Sequence, residues 1–305
     1  MGPVIGSWLR TCQPRSLAAG SERVSCLTGF AIAHVLPETR ARRKHKGDRA
    51  VLTAITREVN AAIGSCELTF LSRIKIDTDL ASEQHQQYQS ALSSLGCEIV
   101  IVPTKPGLAD SVFIEDTAIV LDEIAVLCRP GAASRRPEIA GVEGVLQQYR
   151  TLASIQPPGT LDGGDLLRVD KVIYAGLSTR SNQSGIEQLS SIVADYGYSV
   201  AIVETTKCLH LKSAVSVVAP GTLLISPDLI SKSAFADYEL IDVDKDEAQA
   251  ANALLVGRSL IYSSSYPRTR EKLLASGIVV VPVDVSEVQK AEGAVTCCSL
   301  VFTTP

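Results

Sequence analysis

Four stretches of this chain share one form: two short apolar runs joined by a polar or glycine-containing turn. They are DTAIVLDEIAVLCRP from Asp116, DLLRVDKVIYAG from Asp165, SAVSVVAPGTLLIS from Ser213 and NALLVGRSLIYS from Asn252. Each carries the signal of a β-hairpin. A fifth stretch, TCCSLVFTT from Thr296, is a single strand that the first strand of the chain would complete. Helical periodicity lies between several of them, at Ser134–Tyr149, Asn182–Tyr196 and Pro267–Ala275. The units start roughly 40 to 50 residues apart, the spacing of a repeat architecture. Five units of strand, strand, helix and strand predict an α/β domain closed into a ring about a central axis.

Ahead of these units, FAIAHVLPE (30–38) reads as the first strand, ended by its proline. VLTAITREVNAAI has apolar residues at 51, 52, 55, 59, 62 and 63, which is helical spacing, and Leu80 to Leu95 repeats that period with a stop at Gly96. EIVIVP follows as a buried strand. Residues 1–50 hold nine Lys/Arg against three Asp/Glu, a net of +6, which leaves −10 for the remainder of a chain of net charge −4. RARRKHKGDRA is a charge run without an apolar period and reads as a solvated loop or insertion. Residues 1–26 are expected to be an N-terminal extension, either disordered or a targeting segment, mitochondrial by its arginines.

The 29 basic and 33 acidic residues do not supply the basic surface of a phosphate-backbone binder, so no nucleic-acid partner is expected. No apolar run reaches the roughly 18 residues that a membrane span needs. The eight cysteines include no Cys-x-x-Cys pair, and Cys97 and Cys128 sit inside apolar runs as small hydrophobes. That usage suits a reducing compartment, and the cytoplasm is the expected location.

A ring of such units gathers the heads of its inner strands about one cavity. Glu115 and Asp116 stand before TAIVL, Asp162 and Asp165 bracket Gly163-Gly164, His210 precedes SAVSVV, Asn252 opens NALLV, and Cys297 opens the last strand. Carboxylates beside core strands cost several kcal/mol unless paired or hydrogen-bonded, so several converging acids imply a cationic guest. Each residue alone also has a plain structural reading. Asp116 suits a turn, His210 between two leucines suits a satisfied core histidine, and Cys297 and Cys298 suit inert core thiols. Arg135 and Arg180 each follow a turn-like segment and could clamp a carboxylate.

Taken together, FIEDTAIV (113–120), RPGAASRR (129–136), TLDGGDLL (160–167), GLSTRSNQSG (176–185), LHLKS (209–213) and AVTCCSLVF (294–302) resemble the dimethylarginine dimethylaminohydrolase family. FAIAHVLPE resembles that family's first strand, and the resemblance runs over about residues 27–303. It implies a single-domain five-bladed β/α propeller over 27–305, with a loop or insertion at about 40–67. It implies Cys297 as nucleophile, His210 as general acid and base, and Asp162 as the group that orients His210. By the same resemblance Glu115 and Asp116 hold the guanidinium, Arg135 and Arg180 the substrate carboxylate, and Asp110 the amino group, with Leu68 in a lid and the carbonyl of Ala291 nearby.

Position 162 is Asp where some members carry Glu, and Glu292 stands where a shorter Asp is also found. The implied reaction is hydrolysis of Nω-methylated arginines to citrulline and methylamine or dimethylamine, with no metal or other cofactor. The implied partner is a small methylated-arginine substrate, with neither membrane nor nucleic acid. The alternatives are an arginine or agmatine deiminase on the same fold, and a non-catalytic propeller that only binds.

Overall fold

The computed structural model describes residues 50–304. The extension 1–26, the FAIAHVLPE strand and residues 40–49 of the expected insertion lie outside them. Fifteen strands among the described residues form five separate three-stranded sheets. In chain order these are β1 (Val51–Arg57), β2 (Cys97–Val102), β3 (Ala118–Val120), β4 (Ile124–Leu127), β5 (Thr151–Ser154), β6 (Leu166–Val169), β7 (Val172–Leu177) and β8 (Ser199–Glu204). They continue with β9 (Val215–Ala219), β10 (Thr222–Ile225), β11 (Glu239–Asp242), β12 (Ala253–Val256), β13 (Ser259–Ser263), β14 (Val279–Val283) and β15 (Ser299–Thr304).

Every sheet repeats one plan. An antiparallel hairpin is followed by a crossover to a third strand that runs parallel to the second. The crossovers contain α2 (Ile139–Leu146), α3 (Gln183–Ala194) and α4 (Pro267–Ala275), while α1 (Thr78–Ser94) joins β1 to β2. The β10–β11 connection uses only a short 3-10 turn, Lys232–Phe235. The last sheet is closed by the two ends of the described chain, with β15 antiparallel to β1 and β1 parallel to β2. That closure turns five repeats into a ring, the five-bladed α/β propeller expected of the sequence.

Residues 51–63 require a correction. They are expected to form a helix, yet Val51–Arg57 is the central strand of the closing sheet and pairs with β15; the expectation for FAIAHVLPE lies outside the described residues. A central strand covered on both faces buries consecutive residues, here Thr53 through Arg57, and so shows no alternation. The helical spacing at 51, 52 and 55 arose from that continuous apolar run. The β-branched Val51, Thr53, Ile55 and Thr56 were the better guide.

The core is divided among neighbouring blades. Ala54, Tyr88, Leu92, Val288 and Cys298 belong to one cluster, between α1 and the closing sheet. Tyr88 is fully buried, and its hydroxyl donates to the carbonyl of Val295 at 2.8 Å while sharing a 2.7 Å hydrogen bond with Ser299 Oγ. This side chain ties α1 to both sides of the turn that carries Cys297. Tyr88→Phe leaves two buried groups without that partner and should cost about 1–3 kcal/mol, read as a lower urea midpoint with an unchanged slope.

Candidate active site

Four of the five inner strands are preceded by a tight 3-10 turn: Ile114–Thr117 before β3, Gly163–Asp165 before β6, Leu211–Ser213 before β9 and Thr296–Cys298 before β15. These turns bring the polar heads to the same end of the ring. Cys297 lies within its turn and β15 begins only at Ser299. The expectation that Cys297 opens the last strand is therefore corrected: it sits in the turn just before it. Cys297 lines the pocket, whereas the Cys298 thiol turns to the carbonyl of Ala294.

The glycines of TLDGGD are used for close approach. Neither Gly163 nor Gly164 has a positive φ. A Cβ on Gly163 would overlap the carbonyl oxygen of Glu115, and one on Gly164 would lie 2.6 Å from His210 Nδ1 and 2.8 Å from Asp116 Oδ1. The turn thus delivers Asp162 and leaves room for the imidazole beside it. His210 Nε2 is 3.1 Å from Asp162 Oδ2, and the other Asp162 oxygen accepts the Gly131 N–H at 2.9 Å.

Asp116 is held from three directions. Its Oδ2 accepts from Arg135 Nη1 at 2.6 Å, its Oδ1 accepts from the Gly164 N–H at 2.9 Å, and His210 Nδ1 lies 3.9 Å from Oδ1. Burial would push the Asp116 carboxyl up, but the positive charges of His210 and Arg135 and the hydrogen bonds outweigh it, leaving it at about 2. His210 moves the other way. Burial favours the neutral ring, yet the charge of Asp116 and the hydrogen bond to Asp162 dominate, and its pKa rises to about 9. The histidine is then an imidazolium at neutral pH.

Cys297 and His210 share one pocket with Asp110, Asp116, Arg135, Arg180 and Ala291, a space of about 320 Å³ counting its open mouth. Burial, followed by the charges of Glu115 and Asp116, pushes the Cys297 thiol well above its ordinary range. Arg180 reaches Thr69 Oγ1 at 3.0 Å. Arg135 is more heavily engaged: besides Asp116 it donates to both carboxylate oxygens of Glu138 and to the carbonyls of Asp110 and Phe113.

Two expected contacts fall elsewhere. The Glu115 carboxylate is not among the pocket walls; it accepts from Lys212 Nζ at 2.5 Å and Thr296 Oγ1 at 2.7 Å, and so braces the Cys297 turn from below. Asn252 completes that brace by donating to Thr296 Oγ1 and accepting the Thr296 N–H. Leu68 does not line the pocket either; its half-buried side chain packs on the core cluster beneath α1.

The neighbouring Glu67 forms part of the wall, and so does Glu292. Asp110 accepts the Glu67 N–H, and the Glu292 carboxylate accepts the N–H groups of Thr69, Phe70 and Leu71. A short loop is thereby pinned across the mouth. These contacts join main chain to carboxylates more than 200 residues away in the Glu292 case, and no sequence pattern marks them.

Asp116, Asp162 and His210 could offer three metal-ligand atoms within 4.8 Å of one another. Both carboxylates already accept main-chain N–H groups, however, and Asp116 is also paired with Arg135. The cluster fits a network of ion pairs better than a metal centre.

The family model for eukaryotic N,N dimethylarginine dimethylhydrolase matches residues 60–302. The chain belongs to the dimethylarginine dimethylaminohydrolase family. The Pseudomonas aeruginosa N(G),N(G)-dimethylarginine dimethylaminohydrolase is 36% identical over 230 residues, covering 75% of this chain and 91% of that protein. The Streptomyces coelicolor enzyme of the same name is 37% identical over 249 residues, covering 81% and 95%. Among solved structures, a cysteine-to-serine mutant of the Pseudomonas aeruginosa protein complexed with citrulline superposes with a TM-score of 0.79 at 34% identity, covering 83% of this chain and all of that one. The N-terminal domain of a cyanobacterial arginine dihydrolase, 20% identical with a TM-score of 0.75, shares the fold.

A histidine raised to about 9 from an unfolded value near 6.5 contributes stability that is complete below pH 6.5 and is lost as pH climbs through 9. Urea unfolding between pH 6 and 9.5 should show the native protein losing up to about 3 kcal/mol relative to His210→Gln across that window. Parallel curves for the two proteins would show that the imidazole is not held charged.

Proposed function

We propose that this chain hydrolyses Nω-methylated arginines to citrulline and methylamine or dimethylamine, with Cys297 as nucleophile. The observation that carries this reading is the convergence of Cys297, the His210–Asp162 pair and Asp116 in one buried pocket of a chain from this family. Asp116, ionised and within that pocket, is the group we assign to the guanidinium. Glu115 supports it by holding the Cys297 turn and by adding negative charge. We assign the substrate carboxylate chiefly to Arg180, with Arg135 holding Asp116 in place. Asp110 and the carbonyl of Ala291 would take the amino group. The loop that contains Leu68 would act through its main chain.

A guanidinium carbon is a weak electrophile, because resonance spreads its charge over three nitrogens. The resting thiol is protonated, and a bound cation beside it favours the thiolate by direct attraction. Its proton leaves to solvent. The sulfur then adds to the guanidinium carbon, and imidazolium His210 gives its proton to the departing amine as the C–N bond breaks. A thiouronium adduct remains on Cys297. Neutral His210 next takes a proton from water as the oxygen attacks the adduct carbon. That transfer restores the imidazolium; collapse of the tetrahedral adduct then breaks the C–S bond, the departing sulfur takes the hydroxyl proton to regenerate the thiol, and citrulline is released. Positioned proton transfer of this kind contributes about 10²–10⁴-fold.

The six described cysteines are free thiols, and no described helix is long and apolar enough to cross a membrane. A reducing compartment such as the cytoplasm fits this thiol usage.

Incubation with dimethyl-, monomethyl- and unmodified arginine, assayed for citrulline and for the released amine, tests the reading. Methylated substrates should give methylamines, Cys297→Ser should abolish turnover, and Arg180→Ala should raise KM by about 10-fold or more. Faster release of ammonia from arginine would make the protein a deiminase. Full activity of Cys297→Ser would remove the nucleophile.

A further inference from the structure

Asp165 ends the TLDGGD motif, is fully buried, and has no task in the reaction above. Its Oδ2 accepts from two serine hydroxyls at 2.6 Å, Ser178 and Ser181, and its Oδ1 accepts the Leu211 N–H at 3.0 Å. Each of these contacts leads to a different part of the site. Ser181 Oγ accepts the Asp162 N–H at 3.0 Å, Ser178 Oγ accepts the Arg180 N–H at 3.0 Å, and Leu211 directly follows His210. Space is reserved for this arrangement: a Cβ on Gly176 would lie 2.6 Å from Asp165 Oδ1 and 3.0 Å from Thr205 Oγ1.

We propose that Asp165 is a positioning residue that aligns the Asp162–His210 pair through Ser181 and Leu211, and the Arg180 clamp through Ser178. The proposal rests on the roles given above to those three residues. The direction of the hydrogen bonds is fixed. Each serine oxygen receives a main-chain N–H, so its own proton must go to Asp165, and only an acceptor at Oδ2 satisfies both. An asparagine amide placed there would present donors to donors, although its size and shape are the same.

The two serines allow the branches to be cut separately. Ser181→Ala should lower kcat roughly 10-fold, the equivalent of one lost hydrogen bond, with KM within about 2-fold. Ser178→Ala should instead raise KM by a similar factor, with a smaller fall in kcat because its hydroxyl also receives the Ser181 N–H. Asp165→Asn should combine both effects. Thermal unfolding of each serine variant shows whether the fold is kept.

Histidine ring signals of the ligand-free protein in NMR follow the same link without any substrate. Ser181→Ala should shift those assigned to His210, and Ser178→Ala should shift them less. Equal changes in kcat and KM for both serine variants, or unmoved His210 signals in Ser181→Ala, would reduce Asp165 to a packing role. A native protein inactive on every methylated arginine would sink the substrate reading, and the NMR comparison would still decide the positioning role.

Discussion

Asp116 is sealed from water between two cations, and the arrangement of charge around it governs the rest of the site. A buried carboxylate is tolerated only with partners of opposite charge and full hydrogen bonding. Arg135 supplies one partner and His210 the other, with the Gly164 N–H completing the set. Arg135 would itself be stranded without Glu138, whose carboxylate takes its Nε and Nη2, and Arg57 at the end of β1 donates to the Glu138 carbonyl. The charge chain runs from the closing blade to the imidazole. The strand that completes the ring is thereby linked to the residues proposed to do the chemistry.

The propeller was legible because its repeat is written in apolar runs, and a hairpin buries its residues whatever its neighbours are. The heads of the inner strands were legible for the converse reason. Asp116, Asp162, His210 and Cys297 are polar or reactive residues where a core strand would prefer none. Residues 51–57 misled because a strand covered on both faces loses the period that identifies strands. Glu115 is placed by resemblance to a motif, and Leu68 only by the wider resemblance, since no motif contains it. A motif records which residues occur together but not which way each side chain turns. Glu115 is bonded to Lys212 and Thr296 and does not line the pocket, and neither pairing can be read from spacing.

The loop across the mouth shows another limit of pattern. Asp110 and Arg180, the groups given to the two ends of an amino acid, already bond to the Glu67 N–H and the Thr69 hydroxyl. A substrate's ammonium and carboxylate would thus exchange with loop groups of the same kind. Such exchanges contribute little net affinity, because one hydrogen bond replaces another. Discrimination must then come from the charged character of the new partners, which makes the replacement bonds shorter and stronger.

Cys297 and His210 are displaced in the same direction on the pH scale but to opposite effect. Burial, followed by the charges of Glu115 and Asp116, keeps the thiol protonated and uncharged, whereas for the imidazole the charge of Asp116 and the hydrogen bond to Asp162 outweigh burial and keep it protonated and charged. In the proposed reaction, a pocket with that resting state holds its acid ready and its nucleophile silent, so a stray electrophile without positive charge meets a thiol and not a thiolate. A guanidinium changes the balance because it cancels the charges that suppress sulfur ionisation. Asp116, the carboxylate proposed to meet the cation, thus also helps to make the proposed nucleophile conditional on its arrival.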